Sequence, residues 1–268
     1  MAHRSNTGHP HRRAGAHPAA VVTDLDKTLL RSDGTVGART VAALSAVAEL
    51  GVRIVFATAR PAWSARQVLR SLEGIDAVLL SSNGAVAGGF QDPRPDRVRV
   101  MSAVQARSAA RLLDPLPWAA DRISGRLLGP GWPPVLGSAD SRARQVEDLP
   151  GDEEVLCLMA YGTPTQAALS GIGGSGLRWT SSDAGLIEVS APGADKCSAM
   201  SWYLARQRRH WDDVIAFGDA PNDLDMLAAA GTGVAVANAT PQVLAAATEV
   251  TETHDEEGVA QWLERNLL

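Results

Sequence analysis

The sequence predicts an α/β protein: a parallel sheet flanked by helices, with a smaller α+β unit inserted into it. Three observations predict it. Short apolar runs alternate with helical periodicity over residues 19–80, and again from about residue 193 to the end. The runs are nearly continuous in Val, Ile, Leu and Ala, as strands buried on both faces are. Between the two regular stretches, residues 86–189 break the rhythm and are richer in Gly and Pro.

Each element has its own reason. Residues 1–18 hold His3, His9, His11 and His17 among Arg, Gly and Pro with no apolar period, which predicts a disordered tail. Residues 19–25 form the first strand. Residues 37–50 set Val41, Leu44, Val47 and Ala48 at helical spacing, and Gly51 follows where a helix end leaves it. Residues 53–57 are the second strand, Pro61 fits the first turn of the next helix, and residues 77–80 are the third strand. The insert shows a helix over 102–114 and strands over 155–161, 177–181 and 186–189. The rhythm resumes with a helix over 195–208 and a strand over 214–217. Pro221 opens a helix to residue 230, residues 233–237 are a strand, Pro241 opens another helix, and residues 256–267 are the last helix. The expected division is 19–85 with 190–268 for the core, and 86–189 for the insert.

Composition excludes several classes. A net charge of −5 argues against a nucleic-acid binder with a basic face. No stretch approaches the roughly 18 consecutive apolar residues of a membrane span. Cys157 and Cys197 are too few for a disulfide scaffold, and no apolar leader is visible. Together these point to the reducing cytoplasm.

Four polar groups stand at strand ends or helix starts. Asp24-Leu25-Asp26-Lys27-Thr28 closes the first apolar run. In extended chain, residues two apart share a side, so Asp24 and Asp26 both face the space beyond the strand's carboxyl end. Open α/β sheets bind ligands there. Two such charges about 4 Å apart repel by roughly 4 kcal/mol at an effective dielectric of about 20. A divalent cation relieves this, and Mg²⁺ favours one or two carboxylates plus a phosphate. The plain alternative is a solvated turn in which Asp26 or Thr28 caps a helix. Thr58 follows the second strand and could bond a phosphate oxygen or cap the helix that Pro61 opens. Lys196 begins a helix, where the helix dipole offers a cation nothing; an anionic neighbour or a plain surface position accounts for it. In Gly218-Asp219-Ala220-Pro221-Asn222-Asp223, Asp219 and Asp223 could supply metal ligands, or the segment is a capping turn.

The order Asp-x-Asp-x-Thr, Thr, Lys, Gly-Asp-x-x-Asn-Asp resembles the haloacid dehalogenase (HAD) superfamily of phosphotransferases. An α+β insert of about 100 residues between Thr58 and Lys196 resembles its Cof-type branch, whose cap lies between the second and third motifs. The resemblance implies a Rossmann-like core with a mobile α+β cap. It implies a Mg²⁺-dependent phosphatase acting on a small phosphorylated metabolite such as a sugar phosphate. Asp24 would be the nucleophile that forms an aspartyl-phosphate, and Asp26 the general acid and then base. Thr58 and Lys196 would hold the phosphoryl group. Asp219 would ligate Mg²⁺ with Asp24 and the backbone carbonyl of Asp26. Asp223 would serve the metal through water or position Lys196, and Asn222 would contact the phosphate or orient its neighbours.

Arg60 is expected to reach the substrate or to form a surface ion pair. Asn83-Gly84 is expected to be a substrate-facing turn at the cap hinge, or a tight turn only. Trp118, Trp132, Trp179, Arg122, Arg126 and Arg178 are cap residues that would line the substrate pocket or pack elsewhere. Two alternatives stay open: a phosphomutase using the same aspartyl-phosphate, and a non-catalytic regulatory protein that binds a phosphometabolite. The chain departs from the family pattern at Lys27 and Ala59, where Gly is usual, and at Cys197, where a small residue is common. Asp26-Lys27-Thr28 also echoes the phosphorylation motif of ion-pumping ATPases; the lack of an apolar span argues against a pump.

Overall fold

The computed structural model describes residues 17–136, 142–181 and 185–268. The tail expected to be disordered therefore lies outside the described residues except for His17 and Pro18. From the amino end, β1 (Ala20–Thr23), α1 (Ala38–Glu49), β2 (Arg53–Ala57), α2 (Ala62–Val68) and β3 (Ala77–Ser81) alternate. Two short strands follow, β4 (Val86–Gly89) and β5 (Arg97–Val98). The insert comprises α3 (Ala103–Leu113), β6 (Trp118–Arg122), β7 (Gly125–Leu128), β8 (Ala143–Gln145), β9 (Cys157–Tyr161), α4 (Gln166–Gly174), β10 (Arg178–Ser181) and β11 (Leu186–Ser190). The core resumes with α5 (Lys196–Gln207), β12 (Val214–Gly218), α6 (Leu224–Ala229), β13 (Thr232–Val236), α7 (Pro241–Ala246), β14 (Glu249–Thr251) and α8 (Gly258–Asn266).

Among the described residues the core sheet runs in the order β14-β13-β12-β1-β2-β3-β4-β5. From β14 to β3 every pair is parallel. β1 lies in the middle, which is why Val21 and Val22 are fully buried. One apolar cluster spans both halves of the core sequence and takes in Leu44, Phe56, Phe217 and Trp262. No helix among the described residues is long and apolar enough to cross a membrane.

The sheet differs from expectation at its far edge. The sequence places the start of the insert at residue 86, but β4 and β5 pair antiparallel onto β3 and extend the core sheet to Val98. The chain reverses there through Ser82 and Asn83, both with left-handed φ (50° and 52°). Gly88, Gly89, Pro93 and Pro95 give this edge the composition of a loop, and sheet edges tolerate such residues. The helix expected from Pro221 is a 3₁₀ turn over Pro221–Asp223 that leads into α6.

The insert is a second sheet, ordered β10-β11-β9-β6-β7-β8 and antiparallel except between β7 and β8. It has its own apolar cluster, including Met101, Leu127, Leu158, Ile172 and Val189. Strands β6, β7 and β8 and helix α4 have no counterpart in the sequence-based expectation. Helix α4 carries Gly171, Gly173 and Gly174, poor helix formers. Its Thr165 cap, whose hydroxyl accepts from the Ala168 amide, and the burial of Ile172 hold it instead.

Candidate active site

Strand register assembles the site. Thr23 lies opposite Phe56 on β2 and Phe217 on β12. One residue further, Asp24, Ala57 and Gly218 stand side by side on strands about 5 Å apart. The Asp24 amide donates to the Phe217 carbonyl at 3.0 Å, so the sheet fixes the start of its loop. Residues 24–28, 58–60 and 219–223 therefore leave the sheet at the same edge. The helix α5 adds its first residue, Lys196, at 1% exposure.

Lys196 Nζ donates to Asp24 Oδ1 at 2.5 Å and to Asp223 Oδ1 at 2.6 Å. Asp223 Oδ2 accepts from the backbone amides of Asp219 and Ala220, both at 3.1 Å. Thr28 Oγ1 donates to Asp219 Oδ1 at 3.0 Å. Burial raises the Asp24 carboxyl well above its usual range, against the attraction of Lys196; repulsion from Asp223 and Asp219 adds to it. Asp219 is pushed up to about 6 by burial and by Asp223. Burial alone would lower the Lys196 pKa, but Asp223 and Asp24 reverse this and raise it.

Asp24, Asp219 and Asp223 each offer a carboxylate oxygen, and these lie within 4.8 Å of one another. Carboxylate oxygens are the hard ligands Mg²⁺ takes. Acids whose protons are held by burial and mutual repulsion are those a cation would relieve. The residues thus fit a divalent cation.

The remaining predicted residues lie around this group. Thr58 is buried beside it, and its Oγ1 accepts from the Arg60 amide at 3.0 Å. The Asp26 side chain is not one of the three clustered carboxylates, although it lines the same chamber as Asp24 and Asp219. Arg60 Nε and Nη2 grip its two oxygens at 2.8 and 2.6 Å. Arg60 thus forms an ion pair and also lines the adjoining cleft. Asn222 Nδ2 donates to Asn83 Oδ1 at 3.0 Å, and Asn83 Nδ2 donates to Glu188 Oε2 at 2.7 Å. Asn83 is therefore more than a tight turn: it joins the core loop to the cap.

Two cavities meet here. A chamber of about 180 Å³ is lined by Asp24, Asp219, Asn222, Lys27 and Thr180. A cleft of about 470 Å³ between core and cap is lined by Arg60, Trp63, Asp121, Arg126, Trp132 and Met159. Of the six cap residues singled out in the sequence, Arg126 and Trp132 face the cleft. Trp118 packs against the cap core. Trp179 is 39% exposed on β10. Arg122 pairs with Glu153 and lines a separate cavity. Arg178 pairs with Asp195, the residue that caps α5.

Sequence reasoning missed Glu188 and Asp121. Glu188 is partly buried, and desolvation raises its pKa. Asp121 is almost wholly buried and receives both Arg126 Nε (2.6 Å) and Nη2 (2.9 Å). An acid in a strand reads as solvent-facing, so only the two-residue alternation of 186–189 hinted at which face Glu188 takes.

The chain is similar to several known proteins. A curated relative, the HMP-PP phosphatase of Enterobacter sp. (strain 638), is 27% identical over 241 residues, covering 83% of this chain and 85% of the relative. The HMP-PP phosphatase of Cronobacter sakazakii is 29% identical over 238 residues, again covering 83% and 85%. Among solved structures, the HAD phosphatase BT1666 from Bacteroides thetaiotaomicron superposes with a TM-score of 0.81 at 25% identity, covering 95% of this chain and 97% of its own. The HAD subclass IIB sugar phosphatase BT4131 superposes at 0.77 with 21% identity, covering 92% and 98%, a likeness of fold. The sequence model of the haloacid dehalogenase-like hydrolases matches residues 21–114 and 164–263, most of the chain, and the protein belongs to that family.

Proposed function

We propose that the protein is a Mg²⁺-dependent phosphatase that hydrolyses a small phosphorylated metabolite through an aspartyl-phosphate on Asp24. One observation carries the reading: a buried ammonium, Lys196, held between Asp24 and Asp223 where the central strands end. A fixed cation there offsets the phosphoryl charge that would otherwise repel a carboxylate nucleophile.

Asp24 and Asp219 would hold the Mg²⁺ together with the Asp26 carbonyl. When bound, the ion supplies further charge neutralisation on the phosphoryl oxygens. Asp223 has both oxygens engaged, one on Lys196 and one on two amides. Its part is to orient Lys196 and the Asp219 loop. Thr58 and Lys196 bind the phosphoryl oxygens. Asp24 attacks phosphorus in line, and Asp26 delivers a proton to the departing alcohol oxygen. Water then attacks the aspartyl-phosphate while Asp26 takes its proton, which frees phosphate and restores Asp24. To do this Asp26 must leave Arg60 and take up a proton from solvent as substrate binds; the proton it then takes from the attacking water serves the next turnover, and Arg60 holds the ionised carboxylate in the resting enzyme. The names of the relatives, phosphatases and a sugar phosphatase, support the reaction class. The cleft between core and cap supports a small leaving group that the cap covers.

The test is release of inorganic phosphate from a panel of small phosphate esters, with Mg²⁺ and with chelator. The expected result is Mg²⁺-dependent release that falls by on the order of 10⁴-fold or more in Asp24→Asn. Isomer interconversion without net phosphate release, or tight binding without turnover, overturns the proposal.

A further inference from the structure

The chamber and the cleft share three lining residues: Asp26, Ala59 and Glu188. These form the neck between the cavities. With the phosphoryl group in the chamber and the leaving group in the cleft, the bridging ester oxygen and the carbon next to it pass through this neck. Ala59 offers no polar side-chain atom. Both Asp26 oxygens are held by Arg60. Glu188 differs: Oε2 accepts from Asn83, while Oε1 has no hydrogen-bond partner among the described residues and is not sealed from solvent.

Glu188 is also held in place. It stands on β11, paired to β9 and β10 on its two sides. Its carboxylate is oriented by Asn83, which Asn222 orients in turn. Asn83 itself sits in a turn seated on the start of α5. A Cβ at Gly84 would lie 2.4 Å from the Asp195 carbonyl oxygen, so the turn packs directly on the helix. A charged acceptor fixed by its surroundings discriminates between ligands with and without a matching donor.

We infer that Glu188 is a specificity-determining residue: its free oxygen Oε1 accepts a hydrogen bond from a hydroxyl or ammonium group on the second carbon of the leaving group, one beyond the carbon that bears the ester oxygen. The inference rests on the phosphatase reading and narrows its substrate class to esters whose leaving group carries a donor on that second carbon.

Three esters of equal chain length test it: propyl phosphate, 2-hydroxypropyl phosphate and 2-aminopropyl phosphate. Wild-type kcat/KM is expected to favour at least one donor-bearing ester over propyl phosphate by about 10-fold or more. Glu188→Gln keeps an oxygen for Asn83 and turns an amide NH₂ toward the neck. It is expected to cut that preference at least about 5-fold, most for the ammonium ester, and to change propyl phosphate by no more than about 2-fold. A wild-type enzyme indifferent to the donor overturns the inference without any variant. So does a Glu188→Gln enzyme in which all three esters fall equally, because that is the signature of a structural role. Hydrolysis of the esters without donor preference leaves the phosphatase reading standing. Release of phosphate from the wider ester panel but from none of these three overturns the inference and leaves the phosphatase reading standing; release from no ester of the panel overturns both.

Discussion

Lys196 is surrounded on two sides by buried carboxylates, Asp24 and Asp223. Replacing it with Met leaves two like charges buried without a counter-ion, which costs about 3–5 kcal/mol. Lys196→Met is therefore expected to lower the urea midpoint strongly at pH 7. The deficit should shrink on acidification, as the carboxylates take up protons. Asp219 has the opposite sign to an ordinary ion-paired acid. Its folded pKa of about 6 lies above the ordinary 3.8, so the folded state binds more protons across that window. The stability of the metal-free protein from this group falls as pH rises from about 4 to 6, and remains lower above it. Asp219→Asn removes the cost. In chelator at pH 8 its melting temperature is expected to exceed that of wild type, while added Mg²⁺ no longer raises it. For wild type, calorimetric Mg²⁺ affinity should weaken as pH drops through 6, because the cation competes with the proton on Asp219. A flat profile would contradict this. The four chemical loops are legible in the sequence because their residue types suit strand ends and helix starts in a fixed order. Glu188 is not legible: its role depends on Asn83, 105 residues away.

At the scale of elements, close approach decides which residues are allowed. A Cβ at Gly218 would meet Asp223 Cβ at 2.6 Å and Cγ at 2.7 Å, so the last residue of β12 must be glycine for Asp223 to fold beneath the strand end. Gly218→Ala is expected to displace Asp223 and with it Lys196. Phosphate release should fall about 10-fold or more, with far-UV circular dichroism unchanged. Wild-type turnover in this variant would show that the Asp223 position is not needed. The parallel strands are legible because burial on both faces leaves near-continuous apolar runs. In the cap, β7 and β8 are four and three residues long and carry Arg126 and Arg144, so no run of apolar residues marks them. The edge strands β4 and β5 are hidden by the glycines and prolines around them.

At the scale of the whole molecule, the cap has its own apolar core and meets the main domain through a small apolar cluster of Ala85, Leu156 and Ala194 and a few polar contacts. Asn83 bonds Glu188, and Arg178 pairs with Asp195. Ties of this kind break without unfolding either unit. Asn83→Ala is expected to speed hydrogen exchange at β11 amides while leaving β1 and β12 as protected as in wild type; equal exchange in both proteins would show that the bond does not hold the cap. The two-unit plan is legible from the break in rhythm after the third strand, but the boundary is not, because the core sheet turns back on itself before the chain enters the cap. The central claim is that Asp24 carries the phosphoryl group during turnover. Acid quench in the steady state, followed by peptide mass spectrometry, tests it most directly. The account predicts one added phosphoryl group on the peptide containing Asp24, dependent on ester and Mg²⁺ and lost in Asp24→Asn; turnover with no such adduct, or with the phosphoryl group on another residue, would contradict it.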